Sequence, residues 1–322
     1  MKAIRFHAPG GPEVLKLEDV DLGMPAPGQV RVRHTAIGVN FIDTYHRSGL
    51  YKLPLPSGLG SEAAGIVDAL GEGVTTLKKG DRVAYAGALG AYAEANNVAA
   101  DKLVKLPDGI SDEIAAAALL KGMTAQYLLT RTYTVNPGET ILFHAAAGGV
   151  GLIACQWARH LGASVIGTVG SDEKIALARD HGCTHVLNTS SEDWPRRVRE
   201  ITEGAGVPVV YDSIGKDSWS GSLDCLSVRG LMVSFGNASG AVPAFEPGML
   251  SAKGSLYLTR PTLVHYTRDA RELQQTADDL FDVIASGAVK VEVRQRFKLA
   301  DAAKAHEALH SRQTTGATIL LP

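Results

Sequence analysis

The sequence predicts an α/β protein in which a β-rich domain is joined to a doubly wound domain with a parallel sheet. Three observations support this prediction. Runs of alternating apolar and polar residues fill the chain up to about residue 122, a pattern typical of half-buried strands. Strands and helices then alternate regularly, as in right-handed βαβ units. The length of 322 residues is also enough for two domains.

The first part of the chain has the pattern of an antiparallel sheet. Its clearest predicted strands are GQVRVRHTAIGV, AAGIVDAL and DRVAYA. The composition of GEGVTTLKKG, which joins the last two, indicates a loop. From Asp112 the pattern changes to that of a helix, with Ser111 as its N-cap and acidic residues in its first turn.

The second part alternates strands with helices. The predicted strands are ETILFHA, SVIGTVG, HVLNT, PVVYDSIG, LMVSFGN and GSLYLTR, and the helices are GVGLIACQWARHLG, DEKIALARDHG and EDWPRRVREITEGAG. Gly162 and Gly182 stand where helices end and are predicted to adopt the left-handed conformation. The helix DARELQQTADDLFDVIASG and the strand ATILLP then return to the first domain. We therefore assign residues 1–122 and 263–322 to one domain and 123–262 to the other.

Composition narrows the class of protein. The net charge of −2 argues against a dedicated nucleic-acid binder. The apolar runs are too short for a membrane span, and the first residues have no signal-peptide core. The cysteines lie far apart in sequence without a CxxC motif, which excludes a structural zinc knuckle and indicates reduced thiols. We expect a cytoplasmic globular protein with no membrane partner.

The turn HAAAGGVG lies between a predicted strand and a predicted helix. In this position a glycine motif indicates nucleotide binding. The dinucleotide fingerprint G-x-G-x-x-G falls on Ala146, Gly148 and Gly151. Gly148 lets the backbone approach a pyrophosphate, and Gly151 lets the helix pack closely against the sheet. Ala146 replaces the first glycine and weakens the match. The amides of the first helical turn, which includes Gly149 and Val150, would hold the phosphates.

The end of the next strand indicates which dinucleotide binds. An NAD site places a carboxylate there for the ribose 2′-hydroxyl. Here Gly170 and Ser171 occupy the turn and Lys174 follows, a set that suits a 2′-phosphate. Asp172 and Glu173 are explained as acids that stabilise the dipole of a helix first turn. The predicted cofactor is NADPH.

Taken together, the motifs of the chain resemble those of a known family. They are GGPEVL, GVNFIDTYHRSGLY, LPSGLGSEAAGIV, GDRVAY, LLKGMTAQYLL, HAAAGGVG, GTVGSDEK, YDSIG and LMVSFGNASGAV. In this order they resemble the zinc-independent quinone oxidoreductases (zeta-crystallin-like) of the medium-chain dehydrogenase/reductase superfamily. The resemblance implies a GroES-like catalytic domain, a Rossmann domain that binds NADPH, an active site between them and a homodimer.

The resemblance also provides a test for zinc. The catalytic zinc ligands of related alcohol dehydrogenases correspond here to Asn40, Ser61 and Lys121. None of these supplies a thiolate or an imidazole, and an ammonium group repels a cation. The prediction is therefore that no metal takes part, with Glu62 retained as a structural carboxylate.

A quinone suits such an enzyme because its reduction needs little polarisation of the substrate. The expected reaction is hydride or electron transfer from the nicotinamide C4 to a quinone held in position. The resemblance places Asn40, Tyr45 and Tyr51 at the active site, as an amide and two flat rings with hydroxyl donors. Asp43 and Arg47 are four residues apart and are interpreted as a helical ion pair.

The resemblance suggests further cofactor contacts. They are Thr124, Ser213, Phe235, Gly236, Asn237 and Arg312. Thr189 replaces a tyrosine that close relatives place beside the adenosine end. His144, which ends the strand before the glycine turn, is interpreted as a buried structural residue.

Two other functions remain open from the sequence. The first is NADPH-dependent reduction of the double bond of an enone or alkenal, which uses the same hydride geometry. The second is a non-catalytic, crystallin-like or RNA-binding role, against which the low net charge and the glycine turn both count.

Overall fold

The computed structural model describes residues 1–311 and 314–322. The chain divides into two units. We name them after the domains that the family resemblance implies. The catalytic unit consists of residues 1–123, 267–285 and 291–322, and the nucleotide unit of residues 124–266 and 286–290. The short segment 286–290 belongs with the nucleotide unit, where the Gln156 side chain donates to Lys290 O and accepts from Lys290 N, both at 3.0 Å.

The catalytic unit begins with strands and two helices. In chain order they are β1 (Lys2–Phe6), β2 (Lys16–Asp19), β3 (Gln29–Val39), α1 (Phe41–Ser48), β4 (Ser57–Gly58), β5 (Glu62–Leu70), β6 (Arg82–Ala86), β7 (Ala95–Ala99), β8 (Val104–Lys105) and α2 (Asp112–Tyr127). The last residues of α2, from Thr124 onward, belong to the nucleotide unit. Ser111 Oγ accepts from Ile114 N at 3.3 Å, which confirms the predicted N-cap of α2.

The nucleotide unit follows as a βα alternation. Its elements are β9 (Thr140–Phe143), α3 (Gly149–His160), β10 (Ser164–Val169), α4 (Ile175–Asp180), β11 (His185–Asn188), α5 (Trp194–Ile201), β12 (Val207–Asp212), α6 (Trp219–Cys225), β13 (Leu226–Ser234), α7 (Gly248–Ala252) and β14 (Tyr257–Thr259). The parallel strand order is β11-β10-β9-β12-β13-β14, the doubly wound order that reverses direction beside the first strand. Gly162 and Gly182 have φ of 89° and 107°, as predicted for helix ends.

The chain then returns to the catalytic unit through α8 (Ala270–Ala285), β15 (Val293–Lys298), α9 (Ala302–His310) and β16 (Ala317–Leu321). These strands join a sheet of order β15-β16-β3-β5-β6-β8, with β7 also paired to β3. A smaller sheet has the order β2-β1-β4. Apolar side chains of β3, β5 and β6 form the core of this unit together with α9.

In the part of the chain that the structure describes, no helix is long and apolar enough to cross a membrane.

Candidate active site

The glycine turn after β9 is packed so closely that side chains are restricted at several positions. A Cβ on Gly151 would overlap the carbonyl oxygens of Ala145 and Ala146, so this residue must be glycine for α3 to begin here. The methyl group of Ala146 is buried and would lie 2.8 Å from a Cβ on Gly167 of β10. Alanine therefore fits in place of the first motif glycine because the neighbouring strand also carries a glycine.

The start of α3 has the features of an anion site. Gly148 is the N-cap, and its carbonyl accepts from Leu152 N at 2.9 Å as the first helical hydrogen bond. The N–H groups before that bond have no acceptor inside the helix. They belong to Gly149, Val150 and Gly151. Such a turn favours a phosphate group.

The turn after β10 places the predicted 2′-phosphate residues together. Ser171 is the N-cap of a single helical turn that contains Lys174, and the space beside Gly170 is open. Asp172, which could repel a phosphate, instead accepts from Asn188 Nδ2 at 2.7 Å. The Thr189 hydroxyl donates to Val169 O at 3.2 Å and so points back to the sheet.

The carboxyl ends of β12 and β13 hold their following loops against each other. Phe235 N donates to Asp212 O at 2.8 Å, and Ala238 N donates to Ser213 O at 3.1 Å. A Cβ on Gly236 would lie 2.5 Å from Ser213 O, which explains the glycine. These loops lie at the edge of a doubly wound sheet where ligands bind. Thr124, near the end of α2, is buried, and Arg312 lies outside the described residues.

The sequence analysis missed the carboxylate that organises the first of these loops. Asp212 Oδ1 accepts from the backbone N–H groups of Ile214 and Gly215 at 2.7 and 3.1 Å. Asp212 Oδ2 accepts from Ser218 and Ser222 at 2.7 and 2.8 Å. An Asp that ends a strand and is followed by a glycine turn was the available signal.

His144 contacts the same network. Its ring nitrogens lie 2.8 Å from Thr168 Oγ1 and 2.9 Å from Ser222 Oγ. Burial lowers the pKa of its imidazole. The prediction of a buried structural histidine is confirmed.

In the catalytic unit, α1 carries the residues predicted to face the substrate. Asn40 is its N-cap, and Asn40 N donates to Asp43 Oδ2 at 2.9 Å. The ring of Tyr45 lies 5.2 Å from that of Tyr51 in an edge contact and 5.7 Å from that of Phe41. All three rings are half-buried. The helix and the following turn therefore present a partly exposed aromatic surface.

A buried carboxylate connects two of the three positions that the family resemblance relates to zinc ligands. Glu62 Oε2 accepts from Asn40 Nδ2 at 2.8 Å and from Lys121 Nζ at 3.0 Å. Glu62 Oε1 accepts from Leu120 N at 2.7 Å. A Cβ on Gly38 would overlap this carboxylate. An ammonium group already neutralises Glu62, so this set of donors does not fit a zinc ion.

The structure contradicts the predicted ion pair between Asp43 and Arg47. Asp43 is fully buried and accepts from Tyr92 Oη at 3.0 Å and from Ser61 Oγ at 3.2 Å. Arg47 lies 3.1 Å from His306 Nδ1 and donates to a loop carbonyl. The helical spacing was right, but α1 buries both side chains, and partners on other elements bind them.

These contacts form one buried chain, because Tyr92 Oη also lies 3.0 Å from His306 Nε2. Burial raises the pKa of the Asp43 carboxyl to about 7. Burial and the charge of Arg47 lower the pKa of His306 to about 3. The neutral histidine thus connects α1 to α9.

Comparison with known proteins gives first the class of protein. Residues 26–108 match the alcohol dehydrogenase GroES-like domain, and residues 149–285 match the zinc-binding dehydrogenase domain. With the doubly wound sheet described above, these matches define a medium-chain dehydrogenase/reductase. They confirm the predicted fold class of a GroES-like domain and a Rossmann domain.

Individual relatives identify the family within this class. A quinone oxidoreductase of Pseudomonas aeruginosa is 60% identical, with 100% of this chain and 99% of that protein covered. The structure of Escherichia coli quinone oxidoreductase complexed with NADPH is 55% identical, with a TM-score of 0.99 and 100% of both chains covered. A 2-haloacrylate reductase of Burkholderia is 49% identical, with 98% of each protein covered. The chain belongs to the quinone oxidoreductase family of the medium-chain dehydrogenase/reductase superfamily.

Proposed function

We propose that the protein is an NADPH-dependent quinone oxidoreductase. The observation that carries the proposal is the full-length match to the Escherichia coli quinone oxidoreductase complexed with NADPH. The features of this chain that support it are a phosphate-binding turn and an aromatic surface on α1. The donor set at Asn40, Ser61 and Lys121, which does not suit zinc, favours a substrate that needs no Lewis acid.

The nucleotide unit fits NADPH on its own geometry. Gly148 and Gly151 leave room at the start of α3 for a pyrophosphate. Ser171 and Lys174 stand at the end of β10, beside the open space at Gly170, and would hold the 2′-phosphate. Ser213 and the loop Phe235–Asn237 would contact the other half of the dinucleotide. We include Thr124 and Arg312 in this set on the family resemblance.

NADPH, when bound, supplies the hydride or electrons that reduce the substrate. The part of this chain in the reaction is to bind and orient a planar ring, which Tyr45 and Tyr51 do with their faces and edges. One N–H of the Asn40 amide is already held by Glu62 Oε2, which fixes the plane of that amide. Asn40 and the two tyrosines provide neutral hydrogen-bond donors for the oxygen on which charge develops.

The test is NADPH oxidation with 1,4-benzoquinone, with NADH in parallel. Turnover that prefers NADPH supports the proposal, and no binding of NADPH would overturn it. Tyr51→Ala should raise the KM for the quinone by about three- to tenfold, because this is the loss of binding expected when one aromatic contact is removed. Tyr51→Phe is the matched control for the ring: its KM should stay near the wild-type value, whereas loss of the hydroxyl donor should lower kcat.

A second candidate activity is reduction of an activated carbon–carbon double bond. The specific observation is the 49% identity to a 2-haloacrylate reductase. A 2-haloacrylate and an enone should therefore be assayed beside the quinone. A kcat/KM for either alkene above that for the quinone would favour this second activity.

We also propose a homodimer that pairs through β14. This strand lies at an end of the strand order, and edge strands readily pair with another chain. The apolar side chains of Tyr257, Val228 and Val264 are more than half exposed. Sedimentation should show a dimer for the wild type and a monomer for Tyr257→Asp, and a wild-type monomer would contradict this proposal.

We place the protein in the cytoplasm, because Cys155, Cys183 and Cys225 are all free thiols in the structure, as expected in a reducing compartment. Cell fractionation followed by immunoblotting tests this location, and recovery in an exported fraction would refute it.

A further inference from the structure

Arg260 is a charged residue at the ligand-binding edge of the nucleotide unit that the sequence analysis did not select. It directly follows β14, which pairs in parallel with β13 so that Thr259 lies beside Val233. Its guanidinium therefore reaches across the carboxyl end of β13. A basic residue directly after the last parallel strand was the signal in the sequence.

The guanidinium donates hydrogen bonds to several oxygen atoms at the end of β13 and in the loop that follows it. Nη1 donates to Ser234 O at 3.0 Å, to Ser234 Oγ at 3.2 Å and to Gly236 O at 2.9 Å. In the amide orientation that satisfies Asn237, Nη2 donates to its side-chain oxygen at 3.0 Å, and its nitrogen donates to Gly236 O at 2.9 Å. One side chain thus binds two residues of the loop Phe235–Asn237, which are Gly236 and Asn237, and also Ser234, which precedes the loop.

The opposite side of this loop is also fixed. Gly236 packs against the backbone of Ser213 with no space for a side chain, and the Phe235 ring lies 5.8 Å from that of Phe143. Arg260 and Ser213 therefore hold the loop from two sides. A planar guanidinium binds several oxygens at fixed angles better than an ammonium group does.

The charge of Arg260 has a second effect. The carbonyl oxygens of Ser234 and Gly236 would present negative dipole ends at an edge where an anionic dinucleotide binds. The guanidinium binds both oxygens and would leave positive charge at the edge where the dinucleotide would bind. In a doubly wound fold, the half of the sheet that contains β12, β13 and β14 serves the second mononucleotide, here the nicotinamide half.

We propose that Arg260 is a positioning residue that sets the loop Phe235–Asn237 against the nicotinamide half of NADPH. This inference rests on the proposed function. Without the guanidinium, the loop loses its fixed orientation and the nicotinamide ring loses a defined face toward the substrate. Both binding of NADPH and the stereochemistry of hydride transfer therefore depend on Arg260.

The test compares Arg260→Gln, Arg260→Lys and the control Arg229→Gln, which removes the same charge from an exposed position nearer the start of β13. Arg260→Gln should raise the Kd for NADPH, measured by fluorescence titration, by about 10- to 100-fold, as expected for lost hydrogen bonds to a charged group. Arg260→Lys should recover part of this loss, and Arg229→Gln should match the wild type.

Stereochemistry separates positioning from a general structural role. With NADPH deuterated at either face of C4, the wild type should transfer label from one face, and Arg260→Gln should transfer from both. Wild-type Kd and wild-type face selectivity in Arg260→Gln would overturn the inference. If Arg260→Gln does not fold, Arg260→Lys provides the test. A Kd for NADPH and a face selectivity equal to those of the wild type in Arg260→Lys would also overturn the inference.

The outcomes distinguish this inference from the proposed function. Quinone turnover by the wild type and by Arg229→Gln supports the function whatever Arg260 does. If the wild type binds NADPH but reduces no quinone, the proposed function fails, and the Kd values for NADPH of the Arg260 variants still decide the inference.

Discussion

Replacing Asp43 with Asn should change how the stability of the protein depends on pH. Two opposing effects act on this buried carboxyl. Burial favours its neutral form, whereas hydrogen bonds from Asn40 N, Tyr92 and Ser61 and the charge of Lys121 favour its ionised form. Burial dominates and raises the pKa of Asp43 from 3.8 to about 7. The folded state therefore holds a proton that the unfolded state releases near pH 4.

The sign and size of the effect follow from this pKa. Because the folded protein binds the proton more tightly, Asp43 contributes stability that is full below the unfolded pKa and is lost as the pH rises through about 7. A shift of about three units at about 1.4 kcal/mol each corresponds to at most about 4 kcal/mol. The free energy of unfolding of the wild type, relative to Asp43→Asn, should fall by this order between about pH 4 and pH 7.

The assay is urea unfolding of both proteins at a series of pH values, followed by far-UV circular dichroism. Fluorescence gives a second signal, since Trp157, Trp194 and Trp219 all lie in the nucleotide unit. A difference between the two proteins that is flat, or that rises with pH, would refute the reasoning. It would mean that the hydrogen bonds and Lys121 keep Asp43 ionised.

Asp19→Asn is a matched control for which the expected change of stability with pH has the opposite sign. Asp19 is exposed, and its hydrogen bond with Lys2 lowers the pKa of its carboxyl. Its contribution to stability is therefore present at neutral pH and lost as the pH falls. The wild type relative to Asp19→Asn should gain stability with rising pH. The infrared band of a protonated carboxylic acid, missing in Asp43→Asn, gives a direct measurement of the proton on Asp43.

Three further predictions concern the 2′-phosphate site, the glycine turn and the effect of a metal chelator. Lys174→Gln should raise the KM for NADPH about tenfold or more and leave that for NADH nearly unchanged, because only NADPH carries the 2′-phosphate; equal rises in initial-rate kinetics would contradict this role. Gly151→Ala should lower the free energy of unfolding by about 1–3 kcal/mol, since its Cβ would overlap Ala145 O. In the same denaturation assay the control Gly248→Ala, which has open space, should match the wild type. Dialysis against EDTA should leave quinone turnover unchanged, because Lys121 already neutralises the carboxylate between the candidate ligand positions; loss of activity restored by zinc would contradict this.

Several features of the fold could be predicted because they depend on neighbours in the sequence. The alternation of apolar residues predicts the strands, and glycines such as Gly162 predict where helices end. The strand–turn–helix around Gly148 is also local, so the start of α3 at this residue follows from the sequence. Ala146 shows the limit of such reasoning. An alanine fits at this position only because residue 167 of the neighbouring strand is a glycine.

The candidate site depended more on distant contacts. The spacing of Asp43 and Arg47 predicted an ion pair, yet Asp43 binds Tyr92 and Arg47 binds His306, 259 residues further along the chain. The proposed role of Arg260 depends on the parallel pairing of β13 and β14. Neither arrangement leaves a periodic pattern in the sequence.

The sequence by itself determined the two kinds of domain and the glycine turn, because backbone conformation and short motifs are set by local residues. It also supplied the residues that we propose for the 2′-phosphate. Tertiary structure decided which polar groups share protons and charges in the interior. Burial changes the energy of a charge by several kcal/mol, and the partners that compensate it come from whichever elements the fold brings together. The state of Asp43 and the position of Arg260 therefore became visible only in the folded chain.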